Sequence, residues 1–350
     1  MIPKAADGEP RFEWRGAMLD VARHFFGVDD VSRFIDLIAI YKLNRLHLHL
    51  TDDQGWRIEI RTRPRLAEQG EHFTQQEYAE LVAHAESRGI TIVPEIEMPG
   101  HVNAALVAYP ELAPPGVMPE AYSGTDVGFS TLDVSNEETY AFVEDVVREV
   151  AALTPGAYFH VGGDEAAATK PDDYARFMRR AQETVQRHGK RAIAWEEIAR
   201  TELLPGTIVQ HWKRSELARR AVERGAKVIM SPASRTYLDM KYDASTQLGL
   251  EWAGHVEVRD AYDWDPALQV PGVAEGDVLG VEAALWSETL ETMADVELMA
   301  FPRLAAIAEV GWSAQSERDW DDFRRRLAAH GPELQARGVN FHRSPQIAWR

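Results

Sequence analysis

The chain has 350 residues, of which 45% are hydrophobic, so it is long enough for two or three average domains or for one large α/β barrel. Its formal net charge of −18 argues against nucleic acid or an anionic membrane as a partner. It contains no cysteine, which excludes disulfides, thiolate metal sites and a cysteine nucleophile and leaves the redox compartment undetermined.

Strands and helices are predicted to alternate along the chain. Strands are expected where β-forming residues run for a few positions, and helices where apolar residues recur at helical spacing. In chain order the predicted strands lie in 15–20, 45–50, the first part of 90–101, 157–161, 190–198, 207–212, 226–232 and 277–288. The predicted helices cover 28–44, 74–89, 135–153, 171–189, 215–225 and 295–312.

Several helix ends carry recognisable signals. Thr74 is expected to cap the second helix and Gly89 to end it. Ser135 is expected to cap the third helix in the same way. Asp29 and Asp30 stand near the start of the first helix, where negative charge is favourable.

This order of elements predicts a (β/α)8 TIM barrel. The strands are near-continuous apolar runs, as expected when both faces of a parallel sheet are buried. No linker or repeat divides the chain, so we expect one catalytic domain over 1–350, with 1–14 as a lead-in and 313–350 as a C-terminal helix and tail. The helices after strands five and seven are expected to be short or missing. A doubly wound open sheet is the weaker alternative, because no glycine-rich phosphate fingerprint follows a strand.

The stretch AYFHVGGDE, residues 157–165, is the most informative part of the chain. A short buried strand runs into two glycines, which permit a sharp turn, and then into the adjacent carboxylates Asp164 and Glu165. Carboxylates at the mouth of a buried strand are costly unless they are paired or used, and mutual repulsion raises one pKa. Such a pair supplies a protonated acid beside an ionised partner at neutral pH. The alternative is an Asp that caps the next helix, with a Glu in its first turn.

Carboxylates and tryptophans recur at the other strand exits, where the catalytic groups of such barrels lie. Acidic groups with aromatic walls suit a neutral polyhydroxylated ligand, so a carbohydrate is the expected partner. The exits carry Asp20, Arg23, Asp52, Asp53, Glu95, Glu97, His101, Asp164, Glu165, Trp195, Glu196, His211, Trp212, Tyr237, Asp239, Trp286 and Glu288.

Each of these residues also has a structural interpretation. Arg23 could belong to a surface ion pair, and Asp52 and Asp53 could cap the turn before Gly55. His101 could be a hydrogen-bonded loop histidine, and the three tryptophans could be barrel core. Tyr237 and Asp239 are two residues apart and share a face if the segment is extended.

The motifs resemble family 20 of the glycoside hydrolases, the β-N-acetylhexosaminidases. The similar segments keep the order of the family and run from about residue 15 to 312. They are RGAMLDVARHFF, LNRLHLHLTDDQGWRIEI, VPEIEMPGH, FHVGGDE, AWEE and GVEAALWSE. The resemblance implies a retaining exo-hydrolase of terminal β-linked N-acetylglucosamine or N-acetylgalactosamine that needs no cofactor and no metal.

The resemblance also implies a role for each matching residue. Glu165 would be the general acid/base, Asp164 would orient and stabilise the 2-acetamido group, and Tyr237 would donate a hydrogen bond to its carbonyl oxygen. The implied pocket walls are Trp195, Trp212 and Trp286, and the implied hydroxyl-binding residues are Arg23, Asp239 and Glu288. Asp52 and His101 would form a buried network that supports Glu165.

The implied mechanism is substrate-assisted. The neighbouring amide oxygen attacks the anomeric carbon and gives an oxazolinium intermediate with net retention. Adjacent residues in a turn generally send their side chains in different directions, so Asp164 and Glu165 need not face each other as acid and nucleophile. Family members commonly carry a small α/β domain before the barrel, and about 14 residues precede Arg15 here.

Two other functions compete with this one. A metal-dependent barrel hydrolase would use His47 and His49, which share a strand face, with His101, His160, His211 and Asp239 near other exits. A non-catalytic carbohydrate-binding barrel would need only the aromatic walls. The sequence leaves open the preferred linkage and sugar and the oligomeric state. It also leaves the localisation open. The N-terminal segment MIPKAADGEP lacks the apolar run of a signal peptide, so the protein is expected to be either cytoplasmic or secreted with its signal removed.

Overall fold

Eight parallel strands close into a barrel in sequence order. The computed structural model describes residues 8–349, and within them each strand pairs with the next and the last pairs with the first. The strands are β1 (Trp14–Asp20), β2 (Arg45–His49), β3 (Thr91–Glu95), β4 (Tyr158–His160), β5 (Arg191–Trp195), β6 (Ile208–His211), β7 (Lys227–Met230) and β8 (Val278–Leu285). The predicted (β/α)8 barrel is therefore confirmed.

Helices connect the strands and surround the barrel. They are α1 (Val28–Ile40), α2 (Gln75–Ser87), α3 (Asn103–Ala108), α4 (Glu137–Leu153), α5 (Pro171–Arg187), α6 (Ser215–Glu223), α7 (Ala233–Thr236), α8 (Val258–Tyr262), α9 (Met293–Ala300), α10 (Arg303–Trp312) and α11 (Trp320–Ala336). Between β5 and β6 the chain forms only the 3-10 turn Glu196–Arg200, and between β7 and β8 its α-helices are the four-residue α7 and the five-residue α8. The prediction of short or missing helices at these two places is correct.

The interior of the barrel combines a small apolar cluster with a polar network, whereas the layer between strands and helices is apolar. Glu282 on β8 is fully buried and accepts hydrogen bonds from the Trp14 indole and the Gln210 amide, each at 2.8 Å. His47 Nδ1 lies 2.8 Å from the same carboxylate. A side chain at Gly16 would overlap this group, since its Cβ would lie 2.3 Å from Glu282 Oε2. The glycine on β1 thus makes room for a buried hydrogen-bonded network around Glu282.

Two helix predictions need correction. Asn136, not Ser135, caps α4: its side chain accepts a hydrogen bond from the Glu138 backbone N–H at 2.9 Å, while the Ser135 hydroxyl donates to Asp133 at 2.7 Å. The single helix expected over 295–312 is two helices, α9 and α10, which end and begin on either side of Pro302. Proline lacks a backbone N–H and disfavours helical geometry in the residue before it, so the helix is interrupted there.

The chain continues past the barrel into α11, which packs on its outside. The hydroxyl of Tyr41, the residue after α1, lies 3.0 Å from His330 Nε2, and Arg326 binds the buried carboxylate of Glu309 at 2.8 Å. α11 lies within the expected C-terminal helix and tail, 313–350. Among residues 8–349 no helix is both long and apolar enough to cross a membrane.

Candidate active site

A cavity of about 360 Å³ opens at the C-terminal ends of the strands. This is the end of a TIM barrel at which ligands bind, and the volume suits a small ligand. Asp52 lies behind the cavity wall, in contact with two of the lining residues. The remaining predicted site residues all line the cavity: Arg23, His101, Asp164, Glu165, Trp195, Trp212, Tyr237, Asp239, Trp286 and Glu288.

The turn after β4 presents the two adjacent carboxylates. Gly162 and Gly163 have φ angles of +60° and +91°, which side-chain-bearing residues rarely adopt. A Cβ at Gly162 would lie 1.9 Å from Glu97 Oε2, so this position has no space for a side chain. Glu165 itself has φ of +43°, an uncommon value for a residue other than glycine. Such strain persists only where the surroundings enforce it, and it is concentrated at functional sites.

His101 lies between both carboxylates and the buried Asp52. Its Nε2 atom is 3.7 Å from Asp164 Oδ2 and 3.7 Å from Glu165 Oε2, while its Nδ1 atom is 3.1 Å from Asp52 Oδ1. The expectation that Asp164 and Glu165 point in different directions is therefore only partly correct, because one oxygen of each approaches the same imidazole nitrogen. Burial alone would lower the pKa of His101, but Asp52 and Asp164 raise it to about 10.

Arg23 joins the same network from β1. Its Nη2 atom lies 2.8 Å from Asp52 Oδ2, and its Nη1 atom lies 3.4 Å from Asp20 Oδ2. Burial by itself would lower the pKa of Arg23, but the surrounding carboxylates raise it well above its usual value. The surface ion pair considered for Arg23 is excluded, since its side chain is only 6% exposed. Arg23 is a fixed positive charge at the cavity wall.

The acids around Asp164 favour their protonated forms. Burial raises the pKa of Glu165, and the charge of Asp164 raises it further. Burial also raises the pKa of Glu97 well above its usual range, with repulsion from Asp164 as the next cause. For Glu197, burial and then Asp164 raise the pKa to about 8. A general acid at neutral pH requires such a shift, and Glu165 is the only one of the three that lines the cavity.

Aromatic rings form the inner end and one side of the cavity. Trp195 is 1% exposed, and its indole N–H donates to Glu95 at 2.8 Å. Its ring centroid lies 5.8 Å from that of Trp286. The Trp212 and Tyr237 rings are stacked with an interplanar angle of 11°. Offset aromatic faces of this kind accommodate both a sugar ring and an apolar methyl group.

Several buried carboxylate oxygens at the cavity make no hydrogen bond of ordinary geometry with the residues described. They are Asp164 Oδ1, Asp239 Oδ1 and Oδ2, and Glu288 Oε2. Burial, with repulsion between Asp239 and Glu288, raises the pKa of Asp239 well above its usual range. Buried polar atoms normally have partners, so atoms of this kind at a cavity are available to a polar ligand.

Five further residues line the cavity and were missed from the sequence. They are Thr125, Val127, Lys213, Leu250 and Trp252. Thr125 and Val127 come from an irregular loop between Leu112 and α4, where no periodic pattern marks the residues that face inwards. Trp252 belongs to the tryptophan-rich irregular stretch 236–265, and its ring is perpendicular to Trp212 and Tyr237 at 5.9 Å from each. A tryptophan in an irregular segment was the available signal for this last residue.

Three of the histidines that suggested a metal site, His47, His49 and His160, lie in the barrel interior. Glu95 is 2.9 Å from His47 Nε2 and 2.7 Å from His160 Nδ1, and it also pairs with His49. These are direct hydrogen-bonding distances, which leave no room for an ion between the partners. His211 lies 2.5 Å from Glu196, whose carboxylate also binds backbone N–H groups after β6. This geometry favours buried salt bridges over the metal-dependent hydrolase.

The buried histidines make the free energy of unfolding decrease as the pH rises above neutral. The pKa values of His49 and His101 are raised to about 10 in the folded protein, against 6.5 for an unperturbed imidazole. A raised pKa contributes stability that is complete below the unfolded value and is lost as the pH rises through the folded value. We therefore expect the urea concentration at the midpoint of unfolding to decrease as the pH is raised from 7 to 10, since one pKa unit corresponds to about 1.4 kcal/mol.

His101→Gln should reduce this pH dependence. His255→Gln is the matched control, because His255 is exposed. The comparison is the difference in urea midpoint between pH 7 and pH 10 for each protein. Equal differences in the wild type and in His101→Gln would contradict a charged His101 in the folded state.

Comparison with known proteins places the chain among carbohydrate-active enzymes. The family model "Glycosyl hydrolase family 20, catalytic domain" matches residues 12–173 and 169–315. A β-N-acetylhexosaminidase of Cellulomonas fimi is 49% identical over 356 residues, covering 98% of this chain and 72% of that protein. The GH20 β-N-acetylhexosaminidase from Streptomyces coelicolor A3(2) matches with a TM-score of 0.96 at 50% identity, covering 97% of this chain and 72% of that one. A mutant Streptomyces plicatus β-hexosaminidase in complex with the product GlcNAc matches with a TM-score of 0.95 at 51% identity and the same coverage.

Proposed function

The chain belongs to glycosyl hydrolase family 20, as a hydrolase of the β-N-acetylhexosaminidase type, and on this premise we propose that it removes terminal β-linked N-acetylglucosamine or N-acetylgalactosamine with retention. We propose further that the nucleophile is the acetamido oxygen of the substrate. The observation that carries this proposal is the pair of adjacent carboxylates at one cavity: Glu165 with a raised pKa, and Asp164 with a buried oxygen that makes no hydrogen bond of ordinary geometry within residues 8–349. The first suits proton donation and the second suits an amide N–H.

Glu165 is assigned as the general acid and base. In the first step it donates its proton to the glycosidic oxygen as the bond from that oxygen to the anomeric carbon breaks. The acetamido oxygen forms the new bond to the same carbon, and this gives a cyclic oxazolinium ion. In the second step Glu165, now ionised, accepts a proton from water as the water oxygen attacks the anomeric carbon and opens the ring.

Asp164 and Tyr237 are assigned to the acetamido group. Asp164 Oδ1 accepts the amide N–H and its charge stabilises the positive charge that develops on the ring, while the Tyr237 hydroxyl donates to the amide oxygen. Burial raises the pKa of Tyr237 well above its usual value, so the phenol keeps its proton. Together the two groups hold the amide in the orientation from which its oxygen can attack.

The positions of the two carboxylates do not suit a nucleophile on the protein. In an ordinary retaining glycosidase the acid and the nucleophile flank the scissile bond. Asp164 and Glu165 are consecutive in the chain, and each lies 3.7 Å from one nitrogen of His101, so both are on the same side of the cavity. This arrangement supports attack by the neighbouring amide.

The remaining cavity residues suit a terminal sugar. Trp195 and Trp286 close the inner end, because the Trp195 ring packs against His160 at 5.2 Å and His47 at 6.1 Å in the barrel interior. A closed inner end supports removal of single residues from a chain end. We assign the sugar hydroxyls to Arg23, Asp239 and Glu288, and the acetamido methyl to the walls formed by Trp195, Trp212 and Trp286.

We also propose that residues 1–350 act as one catalytic domain. No linker divides the barrel within residues 8–349, and α11 is tied to α1 and α10 by buried contacts of Tyr41 and Glu309. We keep Asp52 and His101 in a supporting role, since Asp52 contacts His101 and the proposed hydroxyl-binding Arg23 at distances of 3.1 and 2.8 Å.

A panel of aryl substrates tests the proposed function. Hydrolysis of the matched nitrophenyl β-N-acetylglucosaminide, β-N-acetylgalactosaminide and β-glucoside is compared, and proton NMR follows the anomer released first. We expect turnover of the two N-acetylated substrates with the β-anomer as first product, and little turnover of the glucoside. Release of the α-anomer first, or turnover of the glucoside equal to that of the others, would contradict the proposal.

Trp195→Ala should weaken recognition of the N-acetyl group. The substitution removes the inner wall, and an aromatic ring of this size buries enough area to lower kcat/KM for N-acetylated substrates by about 10- to 1,000-fold. The small activity on the plain glucoside should change much less. The measurement is the ratio of kcat/KM for the N-acetylglucosaminide to that for the glucoside.

Trp195→Phe is the matched control. It keeps a smaller aromatic wall and lacks the N–H that binds Glu95. We expect its substrate ratio to lie between those of the wild type and Trp195→Ala. An unchanged ratio in Trp195→Ala would remove Trp195 from the acetamido pocket.

A further inference from the structure

Arg303 is a buried arginine whose partners are all backbone carbonyls. It is the first residue of α10 and is 0% exposed. Its Nη1 atom donates to Met240 O at 2.6 Å and to Val256 O at 2.7 Å. Its Nη2 atom donates to Leu238 O and Met299 O at 2.7 Å, and its Nε atom donates to Met299 O at 3.2 Å. A guanidinium has five N–H donors, and these five bonds occupy all of them.

No carboxylate neutralises this cation directly. Among residues 8–349 no carboxylate oxygen forms an ion pair with Arg303, although the guanidinium lies over the ring of Tyr242 at 3.6 Å from its centroid. A buried charge is costly unless it is paired or well hydrogen-bonded. A neutral residue would fill the same volume at a lower desolvation cost. The role of the guanidinium therefore lies in the backbone carbonyls that its N–H groups bind.

Three of the carbonyls that it holds, those of Leu238, Met240 and Val256, belong to the 237–256 loop, which begins with two proposed substrate contacts. Leu238 O and Met240 O alternate along the chain with Tyr237 and Asp239. The amide N–H of Leu238 donates to Ala284 O of β8 at 2.7 Å, so the segment is fixed to the barrel on its other edge. Leu238 and Met240 are fully buried, whereas Tyr237 and Asp239 line the cavity.

The return part of this loop is held by the same guanidinium. Val256 O is bound by Arg303, and the Val256 N–H donates to Lys241 O at 2.9 Å. Leu250 N–H donates to Asp239 O at 2.8 Å. Leu250 and Trp252, which line the cavity, lie in the chain between Met240 and Val256, whose carbonyls Arg303 binds. One planar group thus sets the distance between the outgoing and the returning parts of the loop.

We propose that Arg303 is a positioning residue for the hydrolysis, which fixes the 237–256 loop so that the Tyr237 hydroxyl and the Asp239 carboxylate meet the substrate in the correct register. The inference rests on the proposed function, because it takes Tyr237 and Asp239 as substrate contacts. Arg303 does not touch the cavity itself and acts only through the backbone. A lysine keeps the charge but cannot reproduce the planar fork.

Arg303→Lys is the first test, with Arg15→Lys as the matched control. Arg15 is also a buried arginine that donates to backbone carbonyls, those of Phe12 at 2.8 Å and Lys42 at 3.0 Å, but it lies at the start of β1, at the opposite end of the barrel. Both variants should lower the melting temperature. We expect kcat/KM for an aryl N-acetylglucosaminide to fall about 10- to 100-fold in Arg303→Lys and less than threefold in Arg15→Lys.

A double-mutant cycle separates positioning from general destabilisation. Tyr237→Phe is measured in the wild type and in Arg303→Lys, below the melting temperature of both. If Arg303 positions Tyr237, the loss caused by Tyr237→Phe should be at least about tenfold smaller in Arg303→Lys than in the wild type. Glu165→Gln should cause the same loss in both backgrounds, because Glu165 follows β4, across the barrel from β8. Equal losses from Tyr237→Phe in both backgrounds would overturn the inference while leaving the proposed function intact.

The proposed function fails in a distinguishable way. If Tyr237→Phe and Asp239→Asn had no effect in the wild type, these residues would not contact substrate, and the positioning role would fall with them.

Hydrogen exchange in the wild type gives a test that needs no folded variant. We expect the amides of Lys241, Leu250 and Val256 to exchange as slowly as those of β8. Exchange as fast as in residues 114–129 would overturn a loop fixed by Arg303.

Discussion

Glu165→Gln is expected to lower kcat/KM by about 100- to 10,000-fold on substrates with poor leaving groups. Glutamine has nearly the same shape as glutamic acid but cannot give a proton to the glycosidic oxygen. Burial and then the charge of Asp164 raise the pKa of Glu165, which favours the protonated form that this role needs. The measurement is kcat/KM for an N-acetylglucosamine disaccharide and for a dinitrophenyl N-acetylglucosaminide.

The leaving-group dependence identifies the role. A dinitrophenolate departs without protonation, so Glu165→Gln should lose much less activity on that substrate than on the disaccharide. Glu183→Gln, at a half-buried position of α5 that does not line the cavity, should retain wild-type rates on both. Equal losses of Glu165→Gln on both substrates would exclude Glu165 as the acid.

Asp164→Asn is expected to lower the rate by about 100- to 1,000-fold, the range found when one preorganised electrostatic partner is removed. Asparagine loses the negative charge that stabilises the developing oxazolinium ion. The loss should appear in kcat for N-acetylated substrates, because the charge matters most in the transition state.

Glu97→Gln is the matched control for Asp164→Asn. Glu97 is 2% exposed beside Gly162, and burial with repulsion from Asp164 raises its pKa well above its usual range. This shift favours its protonated form, which glutamine resembles. We expect its effect to be at least tenfold smaller than that of Asp164→Asn. An equal or larger effect would indicate that Glu97, rather than Asp164, carries the charge.

Much of the fold was predictable because the strong signals are local. Strands buried on both faces are continuous apolar runs. β4 is followed by Gly162 and Gly163, which permit the sharp turn with positive φ angles at this place. The interruption between α9 and α10 could also have been predicted, since Pro302 lies inside the helix expected over 295–312. The capping of α4 was not, because Ser135 and Asn136 are both good caps and Asp133 decides between them.

The site was predictable where a residue follows directly from the end of a strand. Asp164, Trp195 and Trp286 are placed by the barrel itself, and all three line the cavity. Thr125 and Val127 come from an irregular loop whose path depends on tertiary contacts, so their position was not accessible from the sequence. Arg303 was invisible for another reason: its partners are backbone carbonyls, which leave no trace in residue types.

The central claim is that the acetamido oxygen of the substrate is the nucleophile, and a fluorinated substrate series tests it most directly. Replacing acetamido by mono-, di- and trifluoroacetamido on one aryl glycoside withdraws electrons from that oxygen stepwise with little change in size. We predict that kcat/KM of the wild type falls steadily along the series, and that Asp164→Asn keeps the same order at lower rates. A flat series with the wild type, or a covalent sugar ester trapped on Asp164, would contradict the account.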